Sequence, residues 1–205
     1  RKIKFDYVFM ALHGPPAENG ELQLYFDKLN IPYSSCNAEV SANTFNKAVC
    51  NKKLSELGLR CPRSMHYNIN EKIDIKEIIN KLGVPCFIKP NQAGSSFGVS
   101  KAKTKKEIKQ SINNAFHYDT EVLIEEFIDG TEVSCGVIKR NNKTTALPIT
   151  EIISQNEFFD FEAKYKGFSE EITPARINSD LTQEIQGITE NIFDAMSLRG
   201  VCRVD

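Results

Sequence analysis

The sequence predicts a mixed α/β to α+β fold, and three observations carry that prediction. Apolar residues recur at helical spacing, most clearly at Ile75, Ile78, Ile79 and Leu82, which fall at i, i+3, i+4 and i+7. Between such segments lie short apolar runs bounded by Gly, Pro, Asn or Asp, the pattern of strands closed by turns. The two kinds of segment are interleaved along the whole chain, which favours mixed layers over an all-α or all-β architecture.

In chain order, the apolar run 7–12 predicts a buried strand, followed by a His13-Gly14-Pro15-Pro16 loop, a short helix over 21–29 and an extended piece at Ile31-Pro32-Tyr33. That is the start of a βαβ unit. Residues 42–57 read as one helix with Phe45, Ala48 and Val49 on a side and Gly58 at its stop. The isoleucine-rich helix from Ile75 ends at Gly83, a strand occupies 84–88, and a further strand starts at Phe97. Ile108, Ile112, Ala115 and Phe116 mark another helix. Residues 121–128 and 132–139, separated by Asp129-Gly130 and followed by Asn141-Asn142, predict a hairpin pair. Residues 158–167 are charged, aromatic and aperiodic, as suits a loop that closes over a site. Leu181, Ile185, Ile188, Ile192, Ala195 and Met196 give a last long helix, and 201–205 a last strand.

Composition narrows the class. With 205 residues the chain can bury a full core without metal or disulfide staples. Its 26 basic and 27 acidic residues leave a formal charge of −1, which argues against a nucleic-acid surface. Cysteines at 36, 50, 61, 86, 135 and 202 include no C-x-x-C pair and no zinc-finger spacing, so they read as reduced thiols of a cytoplasmic protein. No apolar stretch approaches the roughly 20 residues of a membrane span, and Arg1-Lys2-Ile3-Lys4 lacks the apolar continuation of a signal peptide. The chain starts without Met and stops just after a strand-like segment. It is expected to be a piece of a longer protein.

The most informative stretch is C-F-I-K-P-N-Q-A-G-S-S-F-G-V-S, from Cys86 to Ser100. A strand delivers Lys89 beside a small-residue loop, Gly94-Ser95-Ser96-Phe97-Gly98, whose backbone N–H groups and hydroxyls suit anionic oxygens. Such a cluster is also what an ordinary turn looks like. The pattern matches neither G-x-x-x-x-G-K-[ST] nor G-x-G-x-x-G, which disfavours a P-loop and a Rossmann fingerprint.

Further features add to it. Glu125 and Glu126 stand inside an apolar run, so at least one carboxylate faces a buried side and needs a donor: adenine N6, a ribose hydroxyl, an Arg or a strand-edge backbone would serve. Glu132 follows the Asp129-Gly130 turn, and Lys164 with Tyr165 lies in the charged loop. Arg203 and Asp205 share one strand face and either act together at a site or simply pair.

Taken in order, these pieces resemble the D-alanine–D-alanine ligases of the ATP-grasp superfamily. The resemblance rests on H-G-P-P-A-E-N-G from His13, N-K at Asn46-Lys47, K-P-N-Q-A-G-S-S-F-G-V from Lys89, L-I-E-E-F-I-D-G-T-E from Leu123, F-F-D-F-E-A-K-Y from Phe158, T-P-A at Thr173 and R-V-D at Arg203. It implies an ATP-grasp fold: part of an α/β amino-terminal domain over 1–38, a central ATP-grasp subdomain over 39–124, and an incomplete carboxy-terminal one over 125–205, the two subdomains gripping ATP. Lys47 and Lys89 would reach the ATP phosphates with Ser95 and Ser96. Glu125 would meet the adenine side of the nucleotide and Glu132 the ribose, with Glu126 and Ile128 as further cofactor-binding residues. Lys164 would cap the phosphates, Tyr165 and Ser95 would position the first D-alanine, and His13 and Glu18 lie near that substrate. Arg203 would stabilise the migrating phosphoryl group, and Asp205 would be one ligand of Mg²⁺ or Mn²⁺.

The resemblance further implies a cytoplasmic enzyme supplying a peptidoglycan precursor, with small-molecule partners, no nucleic acid or membrane, and a homodimer as in many relatives. H-G-x-x-G-E-D-G is altered here to H-G-P-P-A-E-N-G, and two phenols of F-Y-D-Y-E-A-K-Y are replaced by Phe159 and Phe161. Tyr165 is retained, and relatives that form depsipeptides typically lack it. The family's glycine-rich first strand and its E-x-N metal motif are absent from these residues, so the piece itself is expected to bind nucleotide poorly and not to turn over. Another ATP-grasp ligase and a non-catalytic nucleotide-binding module are the competing readings.

Overall fold

The computed structural model describes residues 4–154 and 169–205. The chain divides into two compact units, one made of residues 45–130 and 153–170 and the other of 1–44, 131–152 and 171–205. The sequence-based limits at 38/39 and 124/125 fall inside elements, α2 (Ala38–Phe45) and β4 (Glu121–Glu126).

The unit built on residues 45–130 holds an antiparallel four-stranded sheet in the order β1 (Ser64–Asn68), β4, β2 (Cys86–Pro90), β3 (Ser100–Ala102). Two amphipathic helices back it. Helix α4 (Ile75–Leu82) is capped by the Asp74 carboxylate, which accepts from the Lys76 N–H at 2.8 Å. Helix α5 (Lys105–Ala115) is capped by Thr104, whose hydroxyl accepts from Glu107 N–H at 3.2 Å. Their apolar stripes supply Ile78, Leu82, Ile108, Ile112 and Ala115 to a core completed by Cys86, Ile88, Ala102, Val122 and Ile124 from the strands. The isoleucine periodicity is therefore realised as predicted, with Ile75 and Ile79 flanking the fully buried Ile78. Helix α3 (Lys47–Glu56) also belongs to this unit.

The single helix expected over 42–57 is two helices. Asn46 interrupts it with extended backbone (φ −81°, ψ 104°), and its side-chain oxygen accepts from the Val49 N–H at 3.0 Å. An N-cap restarts the helix here because Asn satisfies an orphan N–H better from outside than from within.

The other unit has the antiparallel sheet β7 (Ser169–Ile172), β6 (Lys143–Ser154), β5 (Glu132–Arg140), β8 (Val201–Val204), with α6 (Ser179–Ala195) against β5. Thr189, Ile192 and Phe193 are the buried face of α6, while Leu181 and Ile188, expected to be apolar contacts, are exposed. The hairpin expected between 121–128 and 132–139 does not form: β4 pairs with β1 and β2, whereas β5 turns at Asn141-Asn142 and pairs with β6. Both asparagines take positive φ, 49° and 63°, as a tight hairpin connection requires.

Residues 7–12 are a further correction. Val8 makes one parallel bridge to Tyr33 across α1 (Glu21–Lys28), the minimal form of the βαβ unit, but Tyr7, Phe9 and Leu12 are exposed rather than buried. A strand is buried only when neighbours cover both its faces, and a single bridge leaves them open. The loop expected at 158–167 lies outside the described residues.

Candidate active site

Strand β2 alternates strictly: Cys86, Ile88 and Pro90 are buried, and Phe87 and Lys89 stand on the opposite face. In the β2–β4 register Phe87 opposes Glu125 and Lys89 opposes Leu123, so Lys89 and Glu125 are diagonal neighbours on one face. Their ammonium and carboxylate are in direct contact. Glu125 is 6% exposed, and its second oxygen accepts from Asn51 Nδ2 of α3 at 2.7 Å. The donor that a buried carboxylate in this apolar run requires is thus Lys89 with Asn51.

Glu126, on the opposite face, is paired with Arg63 through Nε at 2.7 Å and through the Arg63 backbone N–H at 2.8 Å. These hydrogen bonds hold its carboxyl below the usual carboxylate range. Ile128 is exposed.

Lys47 opens α3, and its ammonium donates to the carbonyls of Pro90, Asn91 and Ala93 at 3.0, 3.3 and 2.7 Å. The carboxy-terminal end of β2 therefore carries two lysines, Lys89 from the strand and Lys47 from the helix. Asn91 locks this arrangement. It is fully buried, its side-chain oxygen accepts from Ala48 N–H at 2.9 Å, and its amide donates to Glu121 at 2.5 Å. Glu121 in turn meets His66 Nε2 at 3.1 Å. Sequence reasoning passed over Asn51 and Asn91; the one signal for Asn91 was its place directly after Lys89-Pro90.

The loop that follows has a backbone few side chains tolerate. Ser95 and Ser96 both take left-handed φ, 53° and 58°, as does Gly98 at 70°. Consecutive non-glycine residues in this region persist only when their surroundings hold them there, and they gather at ligand-binding loops. Phe97 stacks on Tyr118 with ring centroids 6.3 Å apart, and a side chain at Gly98 would sit 2.6 Å from the Tyr118 ring. The loop is pinned at its tip.

In the other unit, Arg203 Nε meets Asp205 at 2.8 Å and its Nη2 reaches the second carboxylate oxygen at 3.1 Å, so the two pair with each other. Arg203 lies opposite Gly136 in the β5–β8 register. Glu132 begins β5 and is exposed. Glu18 accepts from Gly14 N–H at 2.7 Å and lies 3.7 Å from His13, closing the loop between them. Lys164 and Tyr165 are outside the described residues. Among the described residues no three His, Cys, Asp or Glu side chains gather as a metal site, so Asp205 offers one carboxylate rather than a centre. No helix among them is long and apolar enough to cross a membrane.

Two helix-backed antiparallel sheets, one presenting two lysines beside a left-handed Ser-Ser loop and the other an Arg-x-Asp strand, define an ATP-grasp architecture. Residues 60–205 match the model of the family described as D-ala D-ala ligase C-terminus, and the chain belongs to that family. The chain is 50% identical over 204 residues, all of its own length, to a D-alanine–D-alanine ligase of Phocaeicola vulgatus, and 49% identical over 201 residues to that of Parabacteroides distasonis. It spans 63% and 61% of those relatives. Among solved structures, it superposes on all of its length with the VanG D-Ala:D-Ser ligase of Enterococcus faecalis (TM-score 0.88, 38% identity, 60% of that chain). It does likewise with the D-alanine–D-alanine ligase of Coxiella burnetii (TM-score 0.86, 26% identity, 55% of that chain).

Proposed function

We propose that the full-length protein joins two D-alanine molecules at the expense of ATP, as a cytoplasmic enzyme supplying the dipeptide for peptidoglycan precursors. The observation that carries this reading is the end of β2, where Lys89 and Lys47 flank a pinned loop with Ser95 and Ser96 in left-handed conformation. Cations and oriented backbone amides at one point suit a polyphosphate.

A carboxylate oxygen of the first D-alanine attacks the γ-phosphorus, ADP leaves, and a D-alanyl phosphate forms. The amine of the second D-alanine then attacks the acyl carbon, phosphate departs and the amine proton is lost to solvent or a base. Positioning and positive charge do most of the work in such a transfer. Lys47 and Lys89 hold the phosphates with Ser95 and Ser96; Glu125 meets the adenine side and Glu132 the ribose, with Glu126 and Ile128 as further cofactor-binding residues. Glu126 would contribute through its backbone, because Arg63 engages its carboxylate. Lys164 caps the phosphates, and Tyr165 with Ser95, His13 and Glu18 orients the first D-alanine. Arg203 neutralises the migrating phosphoryl group. Mg²⁺ or Mn²⁺ would supply further charge neutralisation, with Asp205 as one of its ligands; the described residues do not complete that site. The division into a partial amino-terminal domain and two ATP-grasp subdomains, and assembly as a homodimer, belong to the same proposal.

Phosphate release from ATP by the full-length protein tests it. Release with D-alanine alone, and no new product when D-lactate is added, is the expected result. Release only with D-alanine plus D-serine would move the protein to the specificity named for the Enterococcus D-Ala:D-Ser ligase. Nucleotide binding without any amino-acid-stimulated release would overturn the ligase reading in favour of a binding module.

A further inference from the structure

The sulfurs of Cys36 and Cys202 are 3.9 Å apart within one compact unit, although 166 positions separate them in sequence. Their neighbourhood is built rather than accidental. Arg199 lies between them: its backbone N–H donates to Cys36 Sγ at 3.3 Å, and its carbonyl oxygen stands 3.3 Å from Cys202 Sγ. The turn bearing Arg199 is pressed onto the segment bearing Cys36 so closely that a Cβ at Gly200, whose φ is +73°, would stand 1.9 Å from the Ser34 carbonyl oxygen. On the other side, the buried Gln23 amide holds Ser35 Oγ at 3.1 Å, and Ser41 Oγ donates to the Cys36 carbonyl at 3.3 Å. Both sulfurs are half-buried, and each is fixed from its own strand of chain.

We propose that Cys36 and Cys202 form a reversible disulfide with hydrogen peroxide as oxidant, Cys36 being the sulfur first oxidised. The Cys36 thiol is pushed down to about 6, chiefly by the hydrogen bond from Cys202 and further by the Arg199 amide, against burial. Cys202 is pushed up by that same hydrogen bond and by burial. The thiolate of Cys36 attacks a peroxide oxygen; the O–O bond breaks, leaving a sulfenic acid and, after protonation, one water. Cys202 then attacks the sulfenic sulfur, its thiol proton passing to the departing hydroxide, so that the S–O bond breaks, the S–S bond forms and a second water leaves. Two thiols lose two electrons and two protons to one hydrogen peroxide.

Closing the pair needs about 1.9 Å of movement, from 3.9 Å to the roughly 2.05 Å of an S–S bond. The linkage would tie β8 at the residue before Arg203 to the segment entering α2. A dithiol reverses it by exchange. Three of the four other cysteines are placed differently: Cys86 is buried and pushed up to about 11 by desolvation, Cys50 is raised by burial and by the neighbouring Cys61, and Cys135 is buried against the Leu147 carbonyl at 3.5 Å.

Peptide mapping of the full-length protein without reductant, after a limited pulse of hydrogen peroxide, tests this without reference to turnover. A Cys36–Cys202 linked peptide, two hydrogens lighter than its parts and abolished by dithiothreitol, is expected as the dominant cross-link. Cys202→Ser should leave Cys36 as a sulfenic acid that dimedone captures, and Cys36 in the unmodified protein should alkylate at least tenfold faster than Cys86 at pH 7. Oxidation of Cys36 to sulfinic acid with Cys202 still a free thiol, or cross-links spread evenly among the cysteines, would overturn the proposal.

Discussion

Lys89 and Glu125 meet diagonally across β2 and β4 with the carboxylate almost wholly enclosed, its side chain 8% exposed against 28% for the lysine. Removing the lysine strands a buried anion, whereas removing both partners leaves only the part-buried Asn51 amide without its acceptor. Lys89→Met should therefore cost about 2–4 kcal/mol, while Lys89→Met with Glu125→Leu should regain most of it. Neither variant should bind nucleotide. Urea unfolding and nucleotide titration of the same preparations separate the structural share of this pair from the functional one, and equal stability of the single and double variants would show that the contact does not matter to folding.

How much of this was legible in the sequence depended on how many residues each signal used. Helices α4 and α5 announce themselves through four apolar residues each at one period, and β2 through an apolar run closed by Lys89-Pro90. Strand β1 offers only Met65 and Tyr67 as part-buried residues on a sheet edge, too few to count as a pattern. Strand β6 contains Pro148, which argues against a strand; the register shift between Cys135 and Val137, facing Ile149 and Ala146, places that proline in the irregular stretch, where its missing N–H costs no ladder bond. Residues 7–12 failed for the converse reason, since an apolar run cannot tell whether partners pair with it. At the candidate site, charged types in apolar surroundings marked Lys89 and Glu125. Asn51 and Asn91 act only through groups distant in sequence and carry no local signal.

Asn91 is the residue whose loss should spread furthest. Its side chain joins the first turn of α3 to Glu121 from a fully buried position, and its carbonyl accepts from both Lys47 N–H groups, backbone at 3.2 Å and side chain at 3.3 Å. Asn91→Leu should cost about 2–3 kcal/mol by leaving buried partners unsatisfied. Asn46→Ala, which removes only the cap of the same helix, should cost about 1 kcal/mol. Thermal melts of the two variants check the order, and amide exchange at Lys47 and Ala48 should accelerate in the first.

Gly200 and Gly83 separate conformational strain from collision. Both have positive φ, 73° and 79°, but a Cβ at Gly83 meets nothing within 4 Å, while one at Gly200 lands on the Ser34 carbonyl. Gly83→Ala should cost about 1–3 kcal/mol from backbone strain alone, because φ 79° with ψ −172° is a conformation almost confined to glycine. Gly200→Ala should cost more and should also pull the Cys36 and Cys202 sulfurs apart, slowing Cys36 alkylation. Equal melting temperatures for the two variants would refute the close approach.

Glu151 and Arg176 form the ion pair whose pH dependence is simplest to work out. Glu151 accepts from Arg176 Nε at 3.0 Å, from Nη2 at 2.8 Å and from the Arg176 backbone N–H at 3.2 Å. The guanidinium hydrogen bonds first, and then the backbone one, hold its carboxyl down at about 2 against the opposing effect of burial. A carboxylate depressed on folding stabilises the folded state fully above its unfolded value, near 4.3. That contribution is lost as pH falls through the folded value. Stability should therefore decline between roughly pH 4.5 and pH 2 with a component that Arg176→Met removes, since without the guanidinium the folded and unfolded values draw together. Chemical denaturation at pH 7, 4 and 3 measures this: the gap between the original protein and the variant should narrow as pH drops, and a gap that stays constant over that range would refute the assignment.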